Sequence, residues 1–135
     1  MMYLLDTNVC VSYLRGKDRE QFETRLSAMN FGDVALCSVV KAELLYGAAR
    51  SQRPEENFAH LQRFFSGFPS LSFEDAAAAA YGTLRAALET SGTPIGPNDL
   101  MIAAIALANQ LVLVTHNAAE FGRVPGLQLE DWQHP

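Results

Sequence analysis

The chain has 135 residues, 49% of them apolar and 19% charged, which fits one domain with its own core and excludes the disordered and fibrous classes. Ten Lys+Arg against fifteen Asp+Glu leave a net charge of −5; nonspecific nucleic-acid binders are usually basic, so any grip on phosphate must come from a local cluster or from metal ions. No apolar stretch reaches the ~20 residues of a bilayer span, the start lacks a signal peptide's basic flank and cleavage site, and Cys10 and Cys37 are too few for a disulfide framework, so the expectation is a cytoplasmic single domain over residues 1–135.

Strand-length apolar runs alternate with stretches of helical period, the pattern of an α/β fold. Tyr3, Leu4 and Leu5 read as a buried strand, stopped by the polar triplet Asp6, Thr7, Asn8. A helix follows from Val9 to Leu14 and ends near Gly16; a second covers residues 18–29, with acidic residues in its first turn where the dipole favours them. Val34 to Cys37 forms the next strand, after a turn at Phe31, Gly32 and Asp33. Ser38 is placed to cap a helix running to Arg50, and Pro54 suits the opening turn of another that carries Phe58, Leu61, Phe64 and Phe65 at helical spacing. Leu71 to Phe73 reads as a short strand, and the alanine-rich residues 75–89 as a helix. Residues 93–97 break that helix, and Asn98 and Asp99 open one that continues to Asn109. Leu111 to Val114 is a strand ended by Thr115, His116 and Asn117, and Leu127 to Leu129 adds an edge. Crossovers between such strands imply a mainly parallel sheet with helices on both faces.

Some polar residues do not fit a purely structural pattern. In open α/β sheets the working crevice lies at the carboxyl ends of the strands, and Asp6 and Asn117 both stand there; each could equally cap the helix that follows. Glu43 lies among Val39, Val40 and Gly47 on the apolar stripe of its helix, while Lys41 points away. A carboxylate on a buried face costs several kcal/mol unless paired, protonated or bound to metal, so the structural alternative is an ion pair or a reach to solvent. Asp99 sits in the first turn of a helix whose same face carries Ile102, Ala103 and Ala106, where it could simply satisfy the dipole; those small residues also allow close approach to the sheet. Three carboxylates meeting in one crevice repel unless cations compensate. Magnesium prefers oxygen ligands and needs only one or two protein carboxylates, and such a cluster is what metal-assisted phosphodiester hydrolysis requires.

Four motifs in order carry a resemblance: Asp6-Thr7-Asn8; Ala42-Glu43-Leu44 with Gly47; Gly96-Pro97-Asn98-Asp99 with Ile102-Ala103; and Val114-Thr115-His116-Asn117 with Glu120-Phe121. Together they resemble the PIN-domain ribonucleases, and within them the VapC toxins of bacterial toxin–antitoxin pairs; the match continues into Val124-Pro125-Gly126-Leu127 and Glu130-Asp131-Trp132. The resemblance implies a three-layer α/β/α domain with a mainly parallel sheet of about five strands, a Mg²⁺- or Mn²⁺-dependent endoribonuclease leaving 5′-phosphate and 3′-hydroxyl ends, a VapB-type antitoxin partner and a homodimer. Asp6, Glu43 and Asp99 take the family's acidic positions, as catalytic and metal-binding residues. Thr7, Asn8 and Thr115 fit the supporting shell. Asn117 stands as an amide where many PIN domains have a fourth acid, which leaves open whether one metal ion or two are bound. Glu120 reads first as a surface helix residue, with a contribution through water as the alternative.

Residues 92–99 and the C-terminal tail resemble the members that cut initiator tRNA in its anticodon loop. Arg15, Lys17 and Arg19 are candidate RNA contacts, against the plainer reading of a solvated charge run. Leu44, Leu45, Tyr46, Phe58, Leu61, Phe64, Phe65 and Phe68 suggest more apolar surface than one core face needs, leaving a groove for an antitoxin segment. No dinucleotide or phosphate-binding glycine loop is present, and His60, His116 and His134 lack metal-ligand spacing. The rival reading is a non-catalytic PIN-like module that binds RNA or protein without cutting, which Asn117 keeps open.

Overall fold

In the computed structural model, which describes residues 1–133, five strands form one all-parallel sheet: β1 (Tyr3–Leu5), β2 (Val34–Cys37), β3 (Ser70–Leu71), β4 (Val112–Val114) and β5 (Leu129–Glu130), in the order β3-β2-β1-β4-β5. His134 lies outside the described residues. The helices are α1 (Thr7–Leu14), α2 (Arg19–Ser27), α3 (Ser38–Ala49), α4 (Pro54–Phe65), α5 (Asp75–Thr90), α6 (Pro97–Ala108) and α7 (Ala118–Phe121). Each expected helix and strand is present, with shifts at the ends. The third strand is Ser70–Leu71 rather than Leu71 to Phe73, and the last is Leu129–Glu130 rather than Leu127 to Leu129. Both are two-residue edges, where one ladder step decides the boundary. Ser38 is the first helical residue rather than the cap, a place taken by Cys37, and its hydroxyl donates instead to the Leu71 carbonyl at 3.4 Å.

The centre of the sheet is buried because β1, β2 and β4 are apolar: Leu4, Leu5, Ala35, Leu36, Cys37, Leu113 and Val114 are fully inaccessible, as expected of parallel strands covered on both faces. Helix α6 is apolar all round, with Ile102 to Ala106 each at 0% exposure, and packs against α5, α3 and β4. Helix α3 packs on α4 and α1. The C-terminal segment is held by Trp132, buried against Tyr3 and Phe22 at ring separations of 5.3 and 5.6 Å.

Helix α1 ends as its sequence requires. Gly16 has a left-handed φ of 80°, Gly16 N–H donates to the Tyr13 carbonyl and Lys17 N–H to that of Ser12, closing a Schellman motif. Helix α6 ends the same way with Gln110 at φ 56° in the glycine position.

The strand order places the site. From β1 the chain builds outward through β2 and β3, then returns to the other side of β1 with β4 and β5. The switch point therefore lies between β1 and β4, and the crevice outside their carboxyl ends is where open α/β sheets bind ligands. Asp6 follows β1 directly and Thr115 follows β4.

Candidate acidic active site

Asp6 is 1% exposed at the end of β1. Its carboxylate serves two masters. Oδ1 accepts from the Thr7 N–H at 2.8 Å, opening α1, and Oδ2 accepts from the Thr115 hydroxyl at 2.9 Å, tying the ends of β1 and β4 across the switch point. The capping role foreseen for Asp6 is thus real, and each oxygen keeps a second lone pair for another partner. The Thr115 hydroxyl in turn accepts from the Asn117 N–H at 3.0 Å.

Glu43 comes from α3 and is half-buried. Its Oε1 accepts from the Thr7 hydroxyl at 2.6 Å, so Thr7 joins the first two carboxylates through its backbone and its side chain. The ion pair offered as an alternative does not form among the described residues; the ion pairs there are Arg25–Glu130, Arg53–Glu56 and Arg85–Glu89. Asp99, in the first turn of α6, is half-buried and close enough to feel Asp6, Glu43 and Glu120.

The electrostatics follow from this crowding. Burial raises the Asp6 carboxyl above the usual aspartate range, opposed by its bonds from Thr115 and Thr7 and reinforced by Glu43. Asp99 is pushed up to about 7, first by burial, then by its hydrogen bond with Glu120 and the negative charges of Asp6, Glu120 and Glu43. Four carboxylates therefore crowd one crevice, and their repulsion favours the protonated form of Asp99. Cys10, on α1, and Cys37, ending β2, are buried free thiols beneath this charge, and burial together with the field of Asp6 pushes both thiols up.

Glu120 is the residue that sequence reasoning undervalued. It stands half-buried on α7, accepts from the Asn117 side-chain amide at 3.3 Å and hydrogen-bonds Asp99. The signal was its spacing, three residues beyond Asn117, which lets the amide reach it. Asn117 makes no side-chain cap for α7; its amide orients Glu120, which brings a further carboxylate to the cluster. Asn8, placed by resemblance in the supporting shell, is exposed on the first turn of α1.

The donor set fits a hard divalent cation: every side chain offered is an oxygen ligand, and among the described residues none of these acids forms an ion pair with Lys or Arg. Among the described residues no three His, Cys, Asp or Glu side chains are gathered into a ready-made cage.

Of the three expected RNA-binding cations, Arg15 lines a groove of about 400 Å³ between α1, α3 and α4 that also includes Thr7 and Glu43. Lys17 is exposed in the turn after α1. Arg19 instead lies over the Tyr13 ring at 4.6 Å and donates to the Tyr13 carbonyl. Of the eight large apolar residues in α3, α4 and the turn that follows, seven are buried or half-buried and Tyr46 is exposed; the groove reaching Arg15 also includes Leu44 and Leu61.

Against known proteins, a profile of the PIN domain family matches residues 3–127. The chain is 42% identical to the tRNA(fMet)-specific endonuclease VapC of Shigella flexneri and 41% identical to ribonuclease VapC2 of Rickettsia felis, covering 98% of each chain in both comparisons. Its fold superposes on the crystal structure of DNA-bound VapBC from Salmonella typhimurium with a TM-score of 0.93 and 39% identity over 98% of both chains.

Proposed function

The chain belongs to the PIN domain family, and from that premise we propose that it is the VapC ribonuclease toxin of a toxin–antitoxin pair, a metal-dependent endonuclease held in check by a VapB-type antitoxin. The observation that carries the catalytic reading is the meeting of Asp6, Glu43 and Asp99 at the switch point of the sheet. The antitoxin reading is supported by full-length likeness to toxin chains solved as VapBC complexes, from Salmonella typhimurium and from Rickettsia felis.

Asp6 and Asp99 would hold Mg²⁺ or Mn²⁺, and Glu43 would hold or orient the attacking water. The ion supplies Lewis acidity, lowering the pKa of bound water and neutralising charge on the leaving oxygen. Thr7 and Thr115 fix the Asp6 carboxylate and Thr7 also fixes Glu43, so the oxygens face the crevice without reorganisation when substrate arrives. Asp99 would have to be ionised to serve as a ligand to such an ion.

We assign the substrate as initiator tRNA cut in the anticodon loop, a reading supported by 42% identity to a tRNA(fMet)-specific endonuclease. Incubating the purified protein with total tRNA and mapping the cuts tests it: cleavage in that loop is expected, and cleavage confined to rRNA or mRNA overturns the tRNA assignment. Calorimetric titration with Mg²⁺ separates the enzyme from a non-catalytic binding module. The enzyme binds the ion and loses that binding in Asp6→Asn; a binding module shows no such dependence.

A further inference from the structure

The described residues include four large apolar side chains that are strongly exposed: Met1, Met2, Phe31 and Tyr46. The first three lie before β1 or in the turn before β2, at the end of the sheet opposite the acidic site. Tyr46 is different. It stands on α3 one turn beyond Glu43, 63% exposed, and lines a groove of about 530 Å³ with Val39, Ala42, Glu43, Asn98 and Met101. One wall of the acidic site is thus continuous with an aromatic face.

We propose that Tyr46 is a stacking platform for an unpaired nucleobase of the RNA strand, next to the phosphate that the acidic site attacks. The proposal rests on the ribonuclease reading above and names a substrate-positioning residue for it. Three observations select a nucleobase as the occupant. Tyr46 is 63% exposed, with Arg50 on one side of its ring, and aromatic faces stack on any base without regard to sequence. The Arg50 guanidinium lies 5.8 Å from the Tyr46 ring centroid and donates to its hydroxyl at 3.0 Å; this cation forms no carboxylate pair among the described residues and stands ready for a backbone phosphate beside an otherwise anionic cleft. Asn98, exposed on the facing helix and adjacent to Asp99, carries both an amide donor and a carbonyl acceptor, the pair of groups that reads a base edge. An extruded base held there places its flanking phosphate toward Glu43 and Asp99, and gives specificity for unpaired loops over duplex.

The test uses the full chain with Mg²⁺ and an RNA hairpin that the wild type cuts. Tyr46→Ala is expected to raise KM about 10-fold with kcat within about 3-fold, and Tyr46→Trp to stay within about 3-fold of wild type in both. An abasic nucleotide at one position beside the cut reproduces the KM rise in wild type and adds nothing further in Tyr46→Ala. An unchanged KM in Tyr46→Ala, or abasic penalties that add fully to it, overturns the platform. Sedimentation of the same variants separates a rival occupant: conversion of a dimer to monomer by Tyr46→Ala assigns the face to a second copy and also overturns the proposal. Absence of any cleavage by wild type, in contrast, overturns the ribonuclease reading and the platform with it.

Discussion

At the scale of single residues, the site depends on how two carboxylates are held and a third is charged. Asp6→Asn or Asp99→Asn should lower cleavage more than about 100-fold with the fold intact, beyond the 10–100-fold typical of removing a group that only orients a ligand; circular dichroism and an RNA cleavage assay together check this. Thr115→Val removes the hydroxyl that donates to Asp6 and should fall within that 10–100-fold range, read as weaker Mg²⁺ dependence. Asp99 is pushed up to about 7 by its partial burial first, and then by its hydrogen bond with Glu120 and the charges of Asp6, Glu120 and Glu43. A protonated carboxyl is no ligand, so apparent Mg²⁺ affinity should rise with pH through about 7 and level off above it. Glu120→Gln removes a neighbouring negative charge that raises Asp99, and should move that midpoint to lower pH, followed by calorimetry over a pH series.

At the scale of elements, legibility in the sequence tracked the strength of local signals. β1, β2 and β4 are continuous apolar runs with polar stops, and α4 opens on Pro54; each could be read without knowing its neighbours, whereas Pro97, read as part of the break before α6, is its first residue. The two-residue edges β3 and β5 could not, because their extent is set by pairing with β2 and β4 rather than by composition. The same contrast divides the site. Asp6, Glu43 and Asp99 stood out as polar residues that apolar patterns could not absorb. Glu120 did not, because a glutamate on a short surface helix is ordinary until α7 is packed beside Asp99. Two predictions belong here. Gln110 closes α6 in a left-handed conformation, so Gln110→Gly should stabilise by up to about 1 kcal/mol in urea unfolding. Trp132, 2% exposed, pins the last strand through Tyr3 and Phe22 and donates to Glu130 at 3.1 Å; Trp132→Ala should cost about 3–5 kcal/mol.

At the scale of the whole molecule, the crowded carboxylates couple stability to pH and to cations. Asp99 has a folded-state value of about 7 against 3.8 in the unfolded chain, so the native state binds more protons between those values. Its contribution is fully present below pH 3.8 and is lost as pH rises to about 7. In EDTA, Tm should therefore fall from pH 5 to pH 8, and Asp99→Asn should flatten that decline. Mg²⁺ at 100 times its Kd should return about 2.7 kcal/mol at the upper end, since the ion binds only the assembled site. Differential scanning calorimetry at several pH values reads both effects.

Cys10 and Cys37 extend the same reasoning from charge to chemistry. Each sits beneath the acids with its sulfur shut away and held in the unreactive thiol form, so alkylating reagents and peroxide meet no nucleophile while the domain is closed. Sulfhydryl labelling becomes a clock for global opening: its rate at low reagent should track the unfolding equilibrium, slowing when divalent ions are added and quickening in Trp132→Ala.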